Sequence, residues 1–219
     1  GMSLALYTEV TFENGAVGAV VSRGAGTAGS PGQGGALIKV CDTLQALQDL
    51  ASWYRSRFDL TVVAVTGTNG KTTTKDMTAA VLSTAMPTAS TEGNLNNHIG
   101  VPLTLLELGS EHRAAVVEMG MNHPGEIRRL AAIAKPSVGV ITNVAEAHLE
   151  SMETLDAVAE AKGELLEALP AGGTAVLNAD DARVMAQAKR TEAGVRTFGL
   201  GPGAGLRATR VAELAADGG

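Results

Sequence analysis

Leu60-Thr61-Val62-Val63-Ala64-Val65-Thr66-Gly67-Thr68-Asn69-Gly70-Lys71-Thr72-Thr73-Thr74 decides the fold. Its first six residues show no apolar–polar alternation, the pattern of a strand buried on both faces of a parallel sheet. Two glycines then permit a tight turn and close backbone approach, and a helix opens at the threonines. A strand, a glycine turn and a helix in this order let backbone N–H groups and the helix N-terminus surround a polyphosphate. In that setting Lys71 neutralises the β and γ phosphates, and the Thr72 hydroxyl suits Mg²⁺. The plainer alternative is a glycine-rich turn with a surface lysine. The general phosphate-loop pattern wants Gly at position 65, where this chain has Val65. The compact Thr-Gly-Thr-x-Gly-Lys-Thr form points away from GTPases and simple kinases, and neither a Walker-B Asp nor a base-recognition motif accompanies it.

Downstream, strands and helices alternate. Thr72 to Ala85 reads as a helix, Ala114 to Glu118 as a strand, and Pro124 to Ala134 as a helix opened by its proline. Ser137 to Thr142 reads as a strand, Leu155 to Leu169 as a helix, Thr174 to Leu177 as a strand, Asp180 to Lys189 as a helix and Val195 to Phe198 as a strand. The order predicts an α/β fold with a mostly parallel sheet and helices on both faces. Leu206 to Leu214 begins with strand-like alternation, and Asp217-Gly218 signals a turn with no return strand after it.

Upstream, Asp42-Thr43 can cap a helix whose apolar face is Leu44, Leu47, Leu50, Ala51 and Tyr54, ending near Phe58. Gly24 to Gly35 reads as a loop, and Gly15 to Val21 as a helix end running into a short strand. The single cysteine, Cys41, follows the strand-like Leu37-Ile38-Lys39-Val40 and is expected to pack as a small hydrophobe.

The 219 residues are 45 % hydrophobic and 18 % charged, enough apolar content for a sizeable core. A net charge of -6 argues against a general nucleic-acid or anionic-membrane binder. No apolar run reaches the ~20 residues of a membrane helix, and no secretory leader is visible. One cysteine excludes an internal disulfide framework.

Further candidates fall at strand ends, where open α/β sheets bind ligands. Glu118 ends its strand and is either a Mg²⁺ ligand or a solvent-facing carboxylate. Asn143 ends the next, and His148 follows five residues on, as a site residue or a structural histidine. Lys162 stands on the apolar stripe of Leu155, Val158, Leu165, Leu166 and Leu169. It is either a lysine snorkelling from the helix margin or a buried amine of lowered pKa. A neutral lysine adds CO2 to give a carbamate, an anion able to ligate Mg²⁺. Asn178-Ala179-Asp180-Asp181 suits helix capping, and adenine or ribose contacts are compatible with it.

Thr66 to Thr72, Glu118-Met119-Gly120, Asn143 to His148, Ala161-Lys162-Gly163-Glu164 and Asn178 to Asp181 together resemble the Mur ligases. These are ATP-dependent amide ligases of peptidoglycan synthesis. The resemblance is strong from about Asp42 to Gly199. Within the family, Thr91-Glu92-Gly93-Asn94-Leu95-Asn96-Asn97-His98-Ile99-Gly100-Val101-Pro102 is most similar to the member that joins D-alanyl-D-alanine to UDP-N-acetylmuramoyl-tripeptide. Met119-Gly120-Met121-Asn122 and Ala161 to Glu164 are also similar to that member. Folylpolyglutamate synthetase is a relative whose substrate segment does not resemble Asn94 to Pro102.

The resemblance implies roles. Gly67, Thr68, Asn69, Gly70, Lys71, Thr72 and Thr73 would bind ATP phosphates, and Asn178 would contact adenine. Thr72 and Glu118 would hold one Mg²⁺, and His148 with a carbamylated Lys162 a second. Asn94, Asn96 and Asn97 would lie near the acyl substrate, and Lys71, His148 and Lys162 would be the catalytic residues. It implies a partial N-terminal UDP-substrate domain over residues 1–59 and an incomplete central ATP-binding domain over 60–219. On that reading no counterpart of the family's C-terminal ligase domain is expected. The expectation is a cytoplasmic, monomeric chain that binds nucleotide weakly and ligates little, with a stand-alone ATP-binding module as the alternative.

Overall fold

β3 (Thr61–Thr66) is buried from Val62 to Thr66, and its alternate side chains enter two different cores. Val62 and Ala64 point to one sheet face, and Val63 and Val65 to the other. Both faces are apolar, which is why the run lacks alternation. The computed structural model describes residues 13–23, 35–145 and 154–210. Two compact units divide the chain, Gly1–Leu50 and Ala51–Gly219.

In the first unit, β1 (Gly18–Ser22) and β2 (Ala36–Val40) pair in parallel. The first residues of α1 (Thr43–Arg55) follow, with Asp42 Oδ1 accepting from the Leu44 and Gln45 N–H groups, the expected cap. Cys41 is exposed, contrary to the packing expected of it. β2 ends at Val40, so Cys41 falls in the bend before the cap and has no sheet face to enter. The Gly24 to Gly35 reading lies almost wholly outside the described residues.

In the second unit the elements are α2 (Lys71–Ser83), β4 (Thr88–Ser90), α3 (Gly100–Leu106), β5 (Ala114–Glu118), α4 (Glu126–Ala134) and β6 (Val138–Ile141). They continue with α5 (Leu155–Glu167), β7 (Thr174–Asn178), α6 (Ala182–Ala186), a 3-10 turn (Gln187–Arg190), β8 (Gly194–Gly199) and β9 (Leu206–Arg207). One seven-stranded sheet runs β4-β5-β3-β6-β7-β8-β9, every neighbouring pair parallel. On one face α3, α4 and α5 pack Val101, Leu105, Ile127, Leu130 and Leu165 against Val62, Ala64, Ala115 and Val117. Further along that face, Leu166 and Val184 cover Ile141, Ala175 and Leu177. On the other, α2 brings Ala79 and Leu82 over Val63, Val65, Val116 and Val140. Helices cover both faces, unequally.

α1 turns Ala51 inward but leaves Leu50 exposed, so its face is rotated from the expected one. Arg55 takes the buried position instead. Its Nε donates to the Ala134 carbonyl, Nη1 to Phe58 and Nη2 to Leu60, tying the end of α4 to the entry of β3. Burial lowers the Arg55 pKa, opposed by Asp59.

α4 starts after Gly125 and not at Pro124. Gly125 is left-handed, φ 88°, and carries no capping side chain of its own. The cap comes from α5, where Glu164 accepts from the Gly125 N–H at 2.7 Å and the Arg128 N–H at 3.0 Å. α6 covers only part of Asp180 to Lys189, because the chain tightens into the 3-10 turn at Gln187. Beyond β9, residues 211–219, including the Asp217-Gly218 turn, lie outside the described residues.

Candidate functional site

β3 leaves its carboxyl end between those of β5 and β6. The chain goes from β3 to the β4–β5 side, then crosses β3 to reach β6. That reversal opens a crevice at the end of β3, the general ligand position of open α/β sheets. Residues 67–70 occupy it.

Gly67 has φ 147°, and a Cβ there would overlap the Thr142 hydroxyl. Gly70, φ 76°, is the N-cap of α2 and lends it no side-chain hydrogen bond. The first-turn amides of α2 therefore face the crevice without a side-chain cap, with the positive end of the helix behind them. Thr68 and Asn69 donate their amides instead to Asn143, to its carbonyl and Oδ1, each at 2.9 Å. The Thr142 hydroxyl and Asn143 Nδ2 donate to the Asn69 carbonyl at 2.7 and 3.2 Å. The end of β6 thus clamps the loop in shape. Lys71 Nζ folds back to the Thr68 carbonyl at 3.0 Å. Val65, which departs from the general phosphate-loop pattern, is fully buried in β3 and paired with Glu118 across the ladder.

Glu118 is 1 % exposed, which overturns the solvent-facing alternative. The Thr72 hydroxyl donates to its Oε2 at 2.8 Å, and Asn96 Nδ2 to its Oε1 at 2.7 Å. Adjacent ligands on an octahedral Mg²⁺ with bonds of ~2.0–2.1 Å stand about 2.9 Å apart. The Thr72 and Glu118 oxygens already have that spacing, and both are the hard donors this ion prefers. The pair fits Mg²⁺.

Lys162 is 3 % exposed, so the snorkelling alternative fails. Burial, and then the charge of Lys71, lower its pKa to about 8. Its ammonium thus lies within electrostatic reach of Lys71, and the neutral amine is far more accessible near neutral pH than in an exposed lysine. Gly163 beside it gives room to the Arg190 and Gln187 side chains, and Glu164 caps α4. One short stretch of α5 does three jobs. His148 lies outside the described residues.

The asparagines of the Thr91–Pro102 segment separate. Asn96 holds Glu118. Asn97 Oδ1 accepts from the Ile99 and Gly100 N–H groups and caps α3, a helix the sequence reading did not foresee. Asn97, three residues before the run Gly100-Val101-Pro102-Leu103-Thr104-Leu105-Leu106, with a proline in its first turn, is a helix-start signal that could have revealed it. Asn94 is exposed. Asn178 Nδ2 donates to the Thr142 carbonyl at 2.9 Å and its Oδ1 accepts from Asp180. It borders an open cavity of about 590 Å³ with Phe198, Leu200 and Arg207. Asp181 caps α6 as expected and also accepts the Val144 N–H. Asn143, Thr142, Thr91 and Lys75 complete the supporting contacts. Of these, only Asn143 was singled out from its place at a strand end.

A family model described as Mur ligase middle domain matches residues 65–218. The UDP-N-acetylmuramoyl-tripeptide–D-alanyl-D-alanine ligase of Escherichia coli (strain K12) is 49 % identical over 142 residues, covering 65 % of this chain and 31 % of that protein. This chain therefore spans about a third of that relative's length. A crystal structure of MurF from Acinetobacter baumannii superposes with a TM-score of 0.81 at 34 % identity, covering 91 % of this chain and 42 % of that one. The MurF ligase of Thermotoga maritima in complex with ADP superposes with a TM-score of 0.79 at 30 % identity, covering 89 % and 44 %.

Proposed function

Because the chain belongs to the Mur ligase family, we propose that it carries the ATP site of an ADP-forming amide ligase of peptidoglycan precursor synthesis. The bond made joins D-alanyl-D-alanine to UDP-N-acetylmuramoyl-tripeptide, as in the similar ligases named above. The observation that supports this most is the Thr72–Glu118 pair at the mouth of a clamped phosphate loop.

The chemistry is transfer of the γ-phosphoryl group to a carboxylate. The tripeptide's terminal carboxylate oxygen attacks the γ-phosphorus in line, the bond to the β-phosphate oxygen breaks, and ADP leaves. The amine of D-alanyl-D-alanine then attacks the acyl carbon, phosphate leaves, and the amine releases a proton. Two anions must meet in the first step, so charge offset is the main demand. Lys71 and the first-turn amides of α2 supply it on the phosphate side. Thr72 and Glu118 would hold Mg²⁺, which when bound offsets charge on the phosphate oxygens. Lys162, as a carbamate formed from its neutral amine and CO2 with loss of a proton, would serve a second ion with His148. Asn178 and the cavity beside it would receive adenine, and Asn94, Asn96 and Asn97 would border the acyl substrate. The domain reading carries over: residues 1–59 as part of a UDP-substrate domain, and 60–219 as the ATP-binding domain. A ligase that draws on ATP and UDP-linked precursors would work in the cytoplasm.

Calorimetric titration with Mg·ATP, comparing the chain with Lys71→Ala, tests the nucleotide site. Saturable binding lost in the variant supports it, and equal binding by both overturns it. ADP release on adding both peptide substrates tests ligation separately. Binding without release favours an ATP-binding module.

A further inference from the structure

Lys75 is a buried ammonium to which the proposed chemistry gives no role. It is 3 % exposed and lies one turn after Thr72 on the same side of α2. Its Nζ donates to the Thr91 carbonyl at 2.7 Å and pairs with Asp76 at 2.7 Å. Desolvating an ammonium is expensive, and an apolar side chain of similar volume would usually pack as well or better. What the ammonium adds is direction: it fixes one carbonyl.

That carbonyl belongs to a residue with two further ties. The Thr91 N–H donates to Val116, and its hydroxyl accepts from the Glu118 N–H at 3.0 Å. Five residues on, the Asn96 carbonyl accepts from Gly120 at 2.8 Å while its side chain holds Glu118. The Thr91–Asn96 segment therefore straddles the end of β5, bonded on both sides of the Glu118 carboxylate. Thr72 and Lys75, both on α2, address the two halves of this arrangement: one the carboxylate, the other its anchor.

We propose that Lys75 is a positioning residue, locking Thr91 so that Glu118 and the Thr91–Asn96 segment stay in register with the phosphate loop. The inference rests on the reading of Thr72 and Glu118 as the Mg²⁺ pair of a nucleotide site. Without the ammonium, a buried carbonyl loses its partner and the anchor of Glu118 loosens.

The test uses Lys75→Met, Lys75→Arg and Thr91→Val. In metal-free buffer, amide exchange at Glu118 and Gly120 is expected to quicken about tenfold in Lys75→Met, with β3 amides unchanged. Lys75→Arg, which keeps the charge and donors, should restore most of the protection. By calorimetry, Lys75→Met and Thr91→Val should each weaken Mg·ATP binding about tenfold while leaving ATP binding in chelator within about twofold. Thr91→Val keeps the main-chain carbonyl for Lys75 and loses only the acceptor for Glu118, so it separates anchoring from general folding. Unchanged exchange and unchanged Mg²⁺ dependence in Lys75→Met and Thr91→Val overturn the inference alone. Failure of the unsubstituted chain to bind Mg·ATP overturns the nucleotide reading and this inference with it.

Discussion

Thr72 Oγ1 and Glu118 Oε2 lie 2.8 Å apart, joining the first turn of α2 to the end of β5 across 46 positions of sequence. Each oxygen is held from behind, Thr72 by the helix and Glu118 by Asn96 and by its own buried backbone. A hard divalent ion entering here meets two oxygens already spaced as neighbouring ligands. Glu118→Gln keeps the shape and removes the charge. Mg·ATP affinity should fall at least about tenfold, with little change in chelator, since charge on the ligand set governs Mg²⁺ binding. Calorimetry with and without Mg²⁺ checks it, and equal losses under both conditions would sink the metal assignment.

Lys71→Ala removes a lysine whose ammonium lies over the loop, donating to Thr68. ATP affinity should drop about a hundredfold, in the range of losing one close charge pair with a phosphate. AMP, which lacks the β and γ phosphates, should lose little. Titration of ATP and AMP against both chains decides the matter.

Gly67 and Gly70 should respond differently to alanine. At Gly67 a Cβ meets the Thr142 hydroxyl, which is itself fixed to Asn69, so strain and steric overlap add. Gly67→Ala should destabilise the fold by about 2–4 kcal/mol. At Gly70 the space is open, and only the left-handed backbone resists. Gly70→Ala should destabilise by about 1 kcal/mol. Urea melts of the two variants test the order, and equal values would contradict it.

Lys162 links stability to pH. Its folded pKa of about 8 lies below that of an unfolded lysine. Between the two values the unfolded chain binds more protons, so stability rises with pH across that window. Below about 8 the burial penalty on the ammonium is present in full. In CO2-depleted, metal-free buffer, Lys162→Met should be more stable than the parent at pH 7, and the gap should close toward pH 10. The closing amounts to at most about 3 kcal/mol. Paired denaturant melts at both pH values measure it, and a pH-independent gap would show that Lys162 does not titrate in this window.

Glu164→Ala should free the Gly125 and Arg128 amides at the start of α4. Loss of a buried carboxylate cap should destabilise by about 2 kcal/mol. The affected helix lies in a different element from the substitution, so amide exchange over residues 126–130 should quicken more than exchange within α5. The reverse pattern would mean that Glu164 serves its own helix.

The strands were legible because a parallel sheet buried on both faces demands unbroken apolar runs, as in β3 and β5. The glycine turn was legible because Gly67 and Gly70 adopt conformations that other residues rarely accept. α3 was missed because it is short and its cap, Asn97, sits inside a segment read for its polar residues. Pro124 misled because proline at a helix start is a local preference, while the real start was decided by Glu164 from another helix. Cys41 misled because a strand pattern does not say where the strand stops.

By itself, the sequence determined the alternation of strands and helices, the phosphate loop and the placing of candidates at strand ends. These are short-range matters of periodicity, backbone freedom and charge type. Only the tertiary structure decided that Glu118 is buried and bonded to Thr72 and Asn96, and that Lys162 lies inside and near Lys71. It also decided that Asn143 clamps the loop, and that Lys75 reaches Thr91. Each depends on which strand lies beside which and on how far water is excluded. Those are consequences of the whole sheet's order, and no local window of residues contains them.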